Sequence, residues 1–142
     1  MADLLPNSGG CRCGAVRFEA KGEPLSVSYC HCSDCRRATG APVAAFVGFR
    51  ADEVSLGGKS LSTYENGAVT RSFCNVCGSP IAYHDQRLDN QIYFMLGAMD
   101  MPSNYKPTLH AYVREQLPYV HMPDGLERHL KTSVPRPDET IS

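Results

Sequence analysis

Seven cysteines stand in three short groups along this chain of 142 residues. The groups are Cys11 and Cys13, then Cys30, Cys32 and Cys35, then Cys74 and Cys77. Thiolate sulfur is a preferred ligand of zinc, which takes four protein ligands in a structural site and three in a catalytic site. Because an odd number of cysteines cannot all pair within one chain, this grouping predicts metal binding rather than a disulfide framework.

Each of the two outer pairs is followed by a glycine, Gly14 after the first pair and Gly78 after the second. A metal-binding turn folds the backbone tightly around an ion, and glycine tolerates the conformations that such a turn requires. Residues two apart in a strand face the same side, and a C-x-x-C turn also brings its two sulfurs together. We therefore infer one closed structural zinc site, with the ligands Cys11, Cys13, Cys74 and Cys77.

The middle group supplies three thiolates from six consecutive residues, Cys30 to Cys35. Zinc with three protein ligands keeps a position for water or substrate, which is typical of a catalytic site. Two alternatives stay open: a fourth protein ligand that closes the site, or no second zinc. His31 lies between two of the cysteines and would have difficulty reaching the same ion. The candidates for a fourth ligand are His31, His84, His110, His121, His129 and Asp34.

The net charge and the distribution of apolar residues limit the classes of function that we expect for this chain. The formal net charge is -1, from 14 basic and 15 acidic residues, so we expect neither nucleic acid nor a membrane surface as a partner. The first ten residues lack the basic region and apolar run of a signal peptide, and no segment approaches the roughly 18 apolar residues of a membrane span. These features predict a cytoplasmic protein, in a compartment where thiols stay reduced.

Most of the chain has strand-like patterning. In "AVRFEA", Val16 and Phe18 alternate with Arg17 and Glu19, which predicts a half-buried strand. The segments "APVAAFVGF", "QIYFMLGA" and "TLHAYV" are three further predicted strands. The segment "LSTYENGAVTRSF" predicts a hairpin, with Asn66 and Gly67 supplying the two positive φ angles of a type I′ turn.

Helical patterning is limited to two short segments. "SDCRRAT" predicts one turn capped by Ser33, and "DGLERHLK" predicts another near the C-terminus. We predict one domain over residues 1–130, followed by a polar, Pro-containing and disordered tail over residues 131–142.

Four motifs, in order, resemble those of the glutathione-dependent formaldehyde-activating enzyme (Gfa) family, which also includes centromere protein V. They are "GGCRCGAVRFEA", "CHCSDCRRATGAP", "TRSFCNVCGSPI" and "HAYVREQLPYVHMPDGLERH". The resemblance runs from about residue 9 to residue 130 and implies a mainly β fold of several coiled sheets, the β-tent type, with two zinc ions. Carried over to this chain, it assigns the outer two pairs to a structural zinc and Cys30, Cys32 and Cys35 to a catalytic zinc. Many members have Trp where this chain has Tyr119.

The resemblance implies a carbon–sulfur lyase-like enzyme that adds glutathione or a similar thiol to formaldehyde or another small aldehyde. Glutathione carries two carboxylates, so Arg36 and Arg37, beside the third ligand, are the expected contacts for them. The arginines near cysteines, which could offset anionic sulfur, are Arg12, Arg36, Arg37 and Arg71. The alternative is a non-enzymatic zinc module that binds or carries glutathione or a protein partner.

Overall fold

The computed structural model of the chain describes residues 7–136. In that range the fold is mainly β. The strands, in chain order, are β1 (Asn7–Gly10), β2 (Arg17–Ala20), β3 (Ser26–Cys30), β4 (Ala44–Arg50), β5 (Val54–Gly57), β6 (Leu61–Asn66), β7 (Val69–Cys74), β8 (Pro80–Asp85), β9 (Gln91–Met95), β10 (Leu109–Ala111) and β11 (Glu127–Arg128). One α-helix, α1 (Ser33–Thr39), follows β3, and short 3₁₀ turns cover Ala51–Glu53, Leu96–Ala98, Pro102–Asn104 and Val113–Glu115.

The strands form two sheets. The smaller sheet has the order β1-β2-β5, and the larger has the order β11-β10-β3-β4-β9-β8-β7-β6. The β3/β10 and β10/β11 pairs are parallel, and the other pairs are antiparallel. These sheets confirm the predicted mainly β fold, and the strands predicted in "APVAAFVGF", "QIYFMLGA" and "TLHAYV" are β4, β9 and β10.

The core lies where the two sheets meet. Val16 and Phe18 are buried while Arg17 is exposed, so the alternation predicted for this strand is confirmed. The ring of Phe18, on the small sheet, stacks on the ring of Phe94, on the large sheet, with centroids 3.9 Å apart. Phe49 also packs against Phe94 in a tilted arrangement, at 6.2 Å between centroids. This aromatic contact fixes the small sheet, and with it the turn that carries the first two cysteines.

Two local predictions are corrected by the hydrogen-bond register. In the β6–β7 hairpin Asn66 pairs with Val69, so the turn residues are Gly67 and Ala68 rather than Asn66 and Gly67. Of these only Gly67 has a positive φ, 62°, which is the pattern of a type II′ turn and not of type I′. Register is determined by pairing along the whole hairpin, which a local dipeptide does not reveal.

The C-terminal part differs from its prediction in two ways. "DGLERHLK" forms no helix: Glu127 and Arg128 instead form β11, paired in parallel with β10, because a sheet edge was available there. The predicted tail began at residue 131, yet Thr132 is buried and Arg136 contacts Asp85 on β8, so packed structure extends to residue 136. Residues 137–142 of the predicted tail lie outside the described residues. Within residues 7–136, no helix has the length and apolar character needed to cross a membrane.

The contact between the sheets leads to a stability prediction. Phe94→Ala should lower the free energy of unfolding by about 3–5 kcal/mol, because it removes a fully buried ring from between the sheets. Tyr64→Ala, at a side chain that is 64% exposed on β6, should change it by less than about 0.5 kcal/mol. Urea unfolding of both variants measures the difference, and similar losses would show that the sheets do not depend on this contact.

Candidate metal centres

Four cysteine sulfurs converge between the two sheets. The Sγ atoms of Cys11, Cys13, Cys74 and Cys77 all lie within 4.8 Å of one another. The Cys11–Cys13 and Cys13–Cys74 sulfur distances are 3.5 and 3.8 Å. A tetrahedral zinc with sulfur ligands at about 2.3 Å requires sulfurs about 3.8 Å apart, so this donor set fits a zinc ion. We refer to these residues as the four-cysteine centre.

Both turns of this centre end at a glycine that donates to the carbonyl of the first cysteine, three residues back in the first turn and four residues back in the second. Gly14 donates its backbone N–H to the Cys11 carbonyl at 3.1 Å, and Gly78 donates to the Cys74 carbonyl at 2.8 Å. Both glycines lie in the left-handed region, with φ of 83° and 78°. The repeated glycine after each pair therefore corresponds to a real conformational requirement, as its position in the sequence predicts.

Polar groups lie within hydrogen-bond distance of three sulfurs of the four-cysteine centre, those of Cys11, Cys74 and Cys77. Val16 donates its N–H to the Cys11 sulfur at 3.3 Å, and the Ser60 hydroxyl lies 3.1 Å from the Cys74 sulfur. A hydrogen bond from the Ser79 hydroxyl lowers the pKa of Cys77 to about 5. The Ser79 hydroxyl oxygen also accepts the N–H of Arg12 at 3.0 Å, which joins the two turns directly.

Three more sulfurs converge at the start of α1. The Sγ atoms of Cys30, Cys32 and Cys35 lie within 4.8 Å of one another, and those of Cys30 and Cys32 are 3.4 Å apart. Cys30 ends β3 and Cys35 lies in the first turn of α1. The prediction that Ser33 caps α1 is wrong. Cys32 is the N-cap residue, and its sulfur accepts the backbone N–H of Cys35 at 3.3 Å. We refer to these residues as the three-cysteine centre.

Within residues 7–136, no histidine or acidic side chain joins the three-cysteine centre. His31 is fully buried, and its Nε2 lies 2.8 Å from Nδ1 of His110. His110 Nε2 in turn lies 2.8 Å from a carboxylate oxygen of Asp124. His31 therefore belongs to a buried polar chain on the other side of the backbone, in agreement with the expectation that it does not reach the same ion as its neighbours.

The negative charge that the sulfurs of the three-cysteine centre can carry favours binding of a cation. Hydrogen bonds from the Cys30 and Cys35 thiols lower the pKa of Cys32 to about 2, and the same interactions raise the pKa of Cys30. Three sulfurs this close together repel one another when all are ionised, and a bound dication would offset that repulsion. Arg71, on β7, lies with Nη2 3.6 Å from the Cys35 sulfur and 2.7 Å from a carboxylate oxygen of Asp34.

A cavity of about 300 Å³ opens beside the three-cysteine centre. Its walls are mostly apolar and aromatic, and all three cysteines line it. Such a concave site with a few polar groups suits a small ligand. The remaining lining residues are Ser28, Ser33, Asp34, Phe46, Val69, Tyr83, Arg87, Tyr93, Ala111, Tyr112, Glu115, Thr132, Val134 and Arg136.

The arginines expected to meet a substrate carboxylate are not the ones that line this cavity. Arg36 donates to the backbone carbonyls of His31 and Glu115, at 2.7 and 2.6 Å, which links α1 to the segment before it and to the 3₁₀ turn Val113–Glu115. Arg37 lines two other cavities, neither of which is lined by Cys30, Cys32 or Cys35. Neither arginine is among the described residues that line the cavity, because adjacency to Cys35 in sequence places them on other faces of the helix. Their contact with a substrate carboxylate stays a prediction.

Sequence reasoning missed Arg87 and Arg136, the two arginines of the cavity wall. Both contact Asp85 on β8, a carboxylate with no solvent exposure. Burial would raise the pKa of Asp85, but the hydrogen bonds from both guanidinium groups outweigh it and hold that pKa well below its usual range. The only local signal was the short spacing between Asp85 and Arg87, and Arg136 lay in the segment predicted to be a tail.

Comparisons with known proteins agree with this architecture. Residues 6–115 match the family model described as glutathione-dependent formaldehyde-activating enzyme. A Halomonas elongata protein that carries the name of such an enzyme is 32% identical over 101 residues, which cover 65% of this chain and 64% of that protein's length. A crystal structure of a Rhodobacter sphaeroides protein superposes with a TM-score of 0.55 at 22% identity, covering 85% of this chain and 97% of that one. The superposition supports the fold.

The positive φ at Gly78 generates a prediction. Gly78→Ala should lower the free energy of unfolding by about 1–2 kcal/mol, because a Cβ is strained at φ of 78° even though no atom lies within 4 Å of it. Gly57→Ala is the matched control, since Gly57 also has open space around its Cβ position but lies in extended β5. Thermal and urea unfolding measure the stability of both variants. An equal loss of stability in the two would show that the positive φ at Gly78 does not require glycine.

Proposed function

Because the chain belongs to the glutathione-dependent formaldehyde-activating enzyme family, we propose that it joins a thiol such as glutathione to formaldehyde or another small aldehyde. The site of this reaction is the cavity beside the three-cysteine centre. The support is the family membership together with the unequal ligand sets: four sulfurs in one centre and three, beside a cavity, in the other. The relative from Halomonas elongata matches over 64% of its length, so its named activity enters here as part of the proposal.

Both centres are proposed to bind zinc. Cys11, Cys13, Cys74 and Cys77 would hold a structural ion, and Cys30, Cys32 and Cys35 would hold a second ion with a position left for a ligand. A bound zinc supplies a positive charge that stabilises the anionic form of a thiol at neutral pH. The unequal ligand number, within the described part of the chain, is the observation on which this assignment rests.

The reaction forms two bonds, S–C and O–H, and breaks two, the S–H bond and the carbonyl π bond. The thiol sulfur bonds to the aldehyde carbon as the carbonyl π bond opens, and the thiol proton ends on the former carbonyl oxygen. With formaldehyde and glutathione the product is S-hydroxymethylglutathione, and the reverse step is a carbon–sulfur lyase reaction. No oxidant or reductant is required.

The chain's own residues position and shield the reactants. Phe46, Tyr93 and Val134 form apolar parts of the wall, which limit the water around the reacting carbon. Arg71 fixes the Cys35 sulfur by its hydrogen bond and extends over the Tyr83 ring, 5.0 Å from the centroid. This arrangement holds a positive charge beside the three sulfurs and offsets part of their charge.

We place the protein in the cytoplasm, where glutathione is a main thiol and cysteines stay reduced. The seven cysteines, each within residues 7–136, form no disulfide with one another, which agrees with such a compartment.

Replacing one cysteine ligand should have different consequences for the protein in the two centres. Cys77→Ser should give insoluble or unfolded protein, because structural zinc contributes roughly 10–16 kcal/mol in small zinc domains, comparable to the net stability of a whole domain. Cys35→Ser should leave a folded chain that has lost thiol binding, since its centre lies on one continuous segment. Circular dichroism and thermal unfolding of the two variants provide the measurement, and equal melting temperatures would contradict this division of roles.

The proposed reaction is tested with metal and thiol together. Elemental analysis of protein purified without added metal should approach two zinc ions per chain. After exchange of zinc for cobalt, glutathione should change the visible spectrum of the wild type and not that of Cys35→Ser. Nuclear magnetic resonance should then show S-hydroxymethylglutathione forming from glutathione and formaldehyde faster than in buffer alone.

The outcomes separate the two functions that the sequence left open. A spectral change with no increase in rate would favour a non-enzymatic thiol carrier over an enzyme. A cobalt spectrum that glutathione leaves unchanged would mean that the fourth position is not available to thiols, and would remove the proposed reaction from this site.

A further inference from the structure

His31 joins two cysteines of the three-cysteine centre, and contacts outside that centre hold it in place. It has no solvent exposure. Its backbone N–H donates to the carbonyl of Ala111 at 3.1 Å, and its backbone carbonyl accepts a hydrogen bond from Arg36 at 2.7 Å. Its ring Nε2 lies 2.8 Å from Nδ1 of His110. Because the backbone and the ring are both held, the segment between the two cysteines has a defined position.

His110 is held as firmly as its partner. It is fully buried on β10, directly opposite Tyr29 of β3 in the strand register. Its ring stacks on the rings of Tyr29 and His31, with centroids 4.9 and 5.1 Å apart. Its Nε2 lies 2.8 Å from Oδ2 of Asp124, whose Oδ1 accepts the backbone N–H of Leu126 at 3.1 Å. We refer to His31, His110 and Asp124 as the histidine array.

The carboxylate of Asp124 determines where the protons of the histidine array lie. A carboxylate only accepts hydrogen bonds, so with both rings neutral His110 carries its proton on Nε2 and accepts at Nδ1. His31 then donates from Nε2 to His110. The other ring nitrogen of His31, Nδ1, is buried and has no hydrogen-bond partner among residues 7–136. Within that part of the chain, the bond to His110 is therefore the one hydrogen bond that orients the His31 ring.

The histidine array acts from outside the cavity. Side chains that alternate along an extended backbone face opposite sides. Ser28, Cys30 and Cys32 line the cavity, and no member of the array is among the described residues that do so. The array therefore reaches the three-cysteine centre through the backbone from Cys30 to Cys32, and not through contact with a molecule bound in the cavity.

The three-cysteine centre depends on its backbone for the arrangement of its sulfurs. Within residues 7–136, no histidine or acidic side chain joins the three sulfurs. Those of Cys30 and Cys32 are 3.4 Å apart, near the spacing of about 3.8 Å that sulfurs have around a tetrahedral zinc. A site whose ligands already lie in place loses less conformational freedom on binding, so a fixed His31 favours the metal-bound arrangement.

We propose that His110 and Asp124 are positioning residues of the three-cysteine centre. By holding His31 they fix the backbone that carries Cys30 and Cys32, and so they set the affinity of this centre for its metal ion. This inference rests on the zinc binding proposed for the centre. Groups that orient metal ligands without touching the metal commonly have such an effect.

The test measures the zinc affinity of each centre by competition. Full-length, zinc-loaded protein is titrated with a chelator of known affinity, and Cys35→Ser identifies the step that belongs to the three-cysteine centre. Asp124→Ala should weaken zinc binding in that step about tenfold and leave the four-cysteine step unchanged. Asp124→Asn should restore most of the affinity, because its amide oxygen can accept the same hydrogen bond from His110.

Asp124 is the residue of choice because its side chain is 31% exposed, whereas His110→Ala removes a fully buried ring and can unfold the chain. Asp52→Ala is the matched control: it removes an exposed, hydrogen-bonded carboxylate outside the array and should change neither step. Thermal unfolding of the three variants shows whether the fold is kept.

Three outcomes would overturn the inference while leaving the proposed function intact. They are an unchanged three-cysteine step in Asp124→Ala, an equal weakening of both steps, and a loss in Asp124→Asn as large as in Asp124→Ala. A wild type that releases one zinc ion, in a step that Cys35→Ser does not alter, would overturn both the inference and the proposed second zinc.

Discussion

The convergence of two cysteine pairs on one point is the constraint on which the rest of the structure depends. Cys13 and Cys74 are separated by 61 residues, yet their sulfurs are 3.8 Å apart. Closing so long a loop costs conformational entropy, and the interactions formed at the junction must offset it. Around that junction the small sheet meets the large one through the stacked rings of Phe18 and Phe94. A metal ion at the four-cysteine centre and the aromatic core would thus stabilise the same joint.

One strand connects this joint to the reactive side of the molecule. β7 ends at Cys74, a member of the four-cysteine centre, and three residues earlier it carries Arg71, which contacts Cys35 of the three-cysteine centre. The next strand, β8, pairs with β7 and ends at Asp85, the residue that holds Arg87 and Arg136 in the cavity wall. A displacement at the four-cysteine centre would therefore shift both a neighbour of the three-cysteine centre and two arginines of the cavity wall.

The sequence predicted most accurately what depends on local spacing. The grouping of cysteines, the glycines after each pair, the alternation around Val16 and Phe18 and the extent of α1 all follow from contacts within a few residues. The hairpin register at Gly67, the pairing of Glu127 with β10 and the approach of Arg136 to Asp85 depend on partners 3 to 51 residues away. The nearness of Arg36 and Arg37 to Cys35 in sequence did not predict which side of the seven-residue helix each of them occupies.

The alternation of side chains along an extended chain explains why His31, which lies between Cys30 and Cys32, is not a ligand of the three-cysteine centre. Consecutive residues of an extended chain face opposite sides, so Cys30 and Cys32 share one side while His31 lies on the other. His31 is there committed to His110, which in turn contacts Asp124, in a fully buried position between strands. Beyond Cys32 the chain turns into α1, and the next sulfur within reach is Cys35, in the first helical turn. The local backbone thus brings three sulfurs together and turns the imidazole of His31 away. The number of ligands therefore follows from the conformation of the six residues from Cys30 to Cys35.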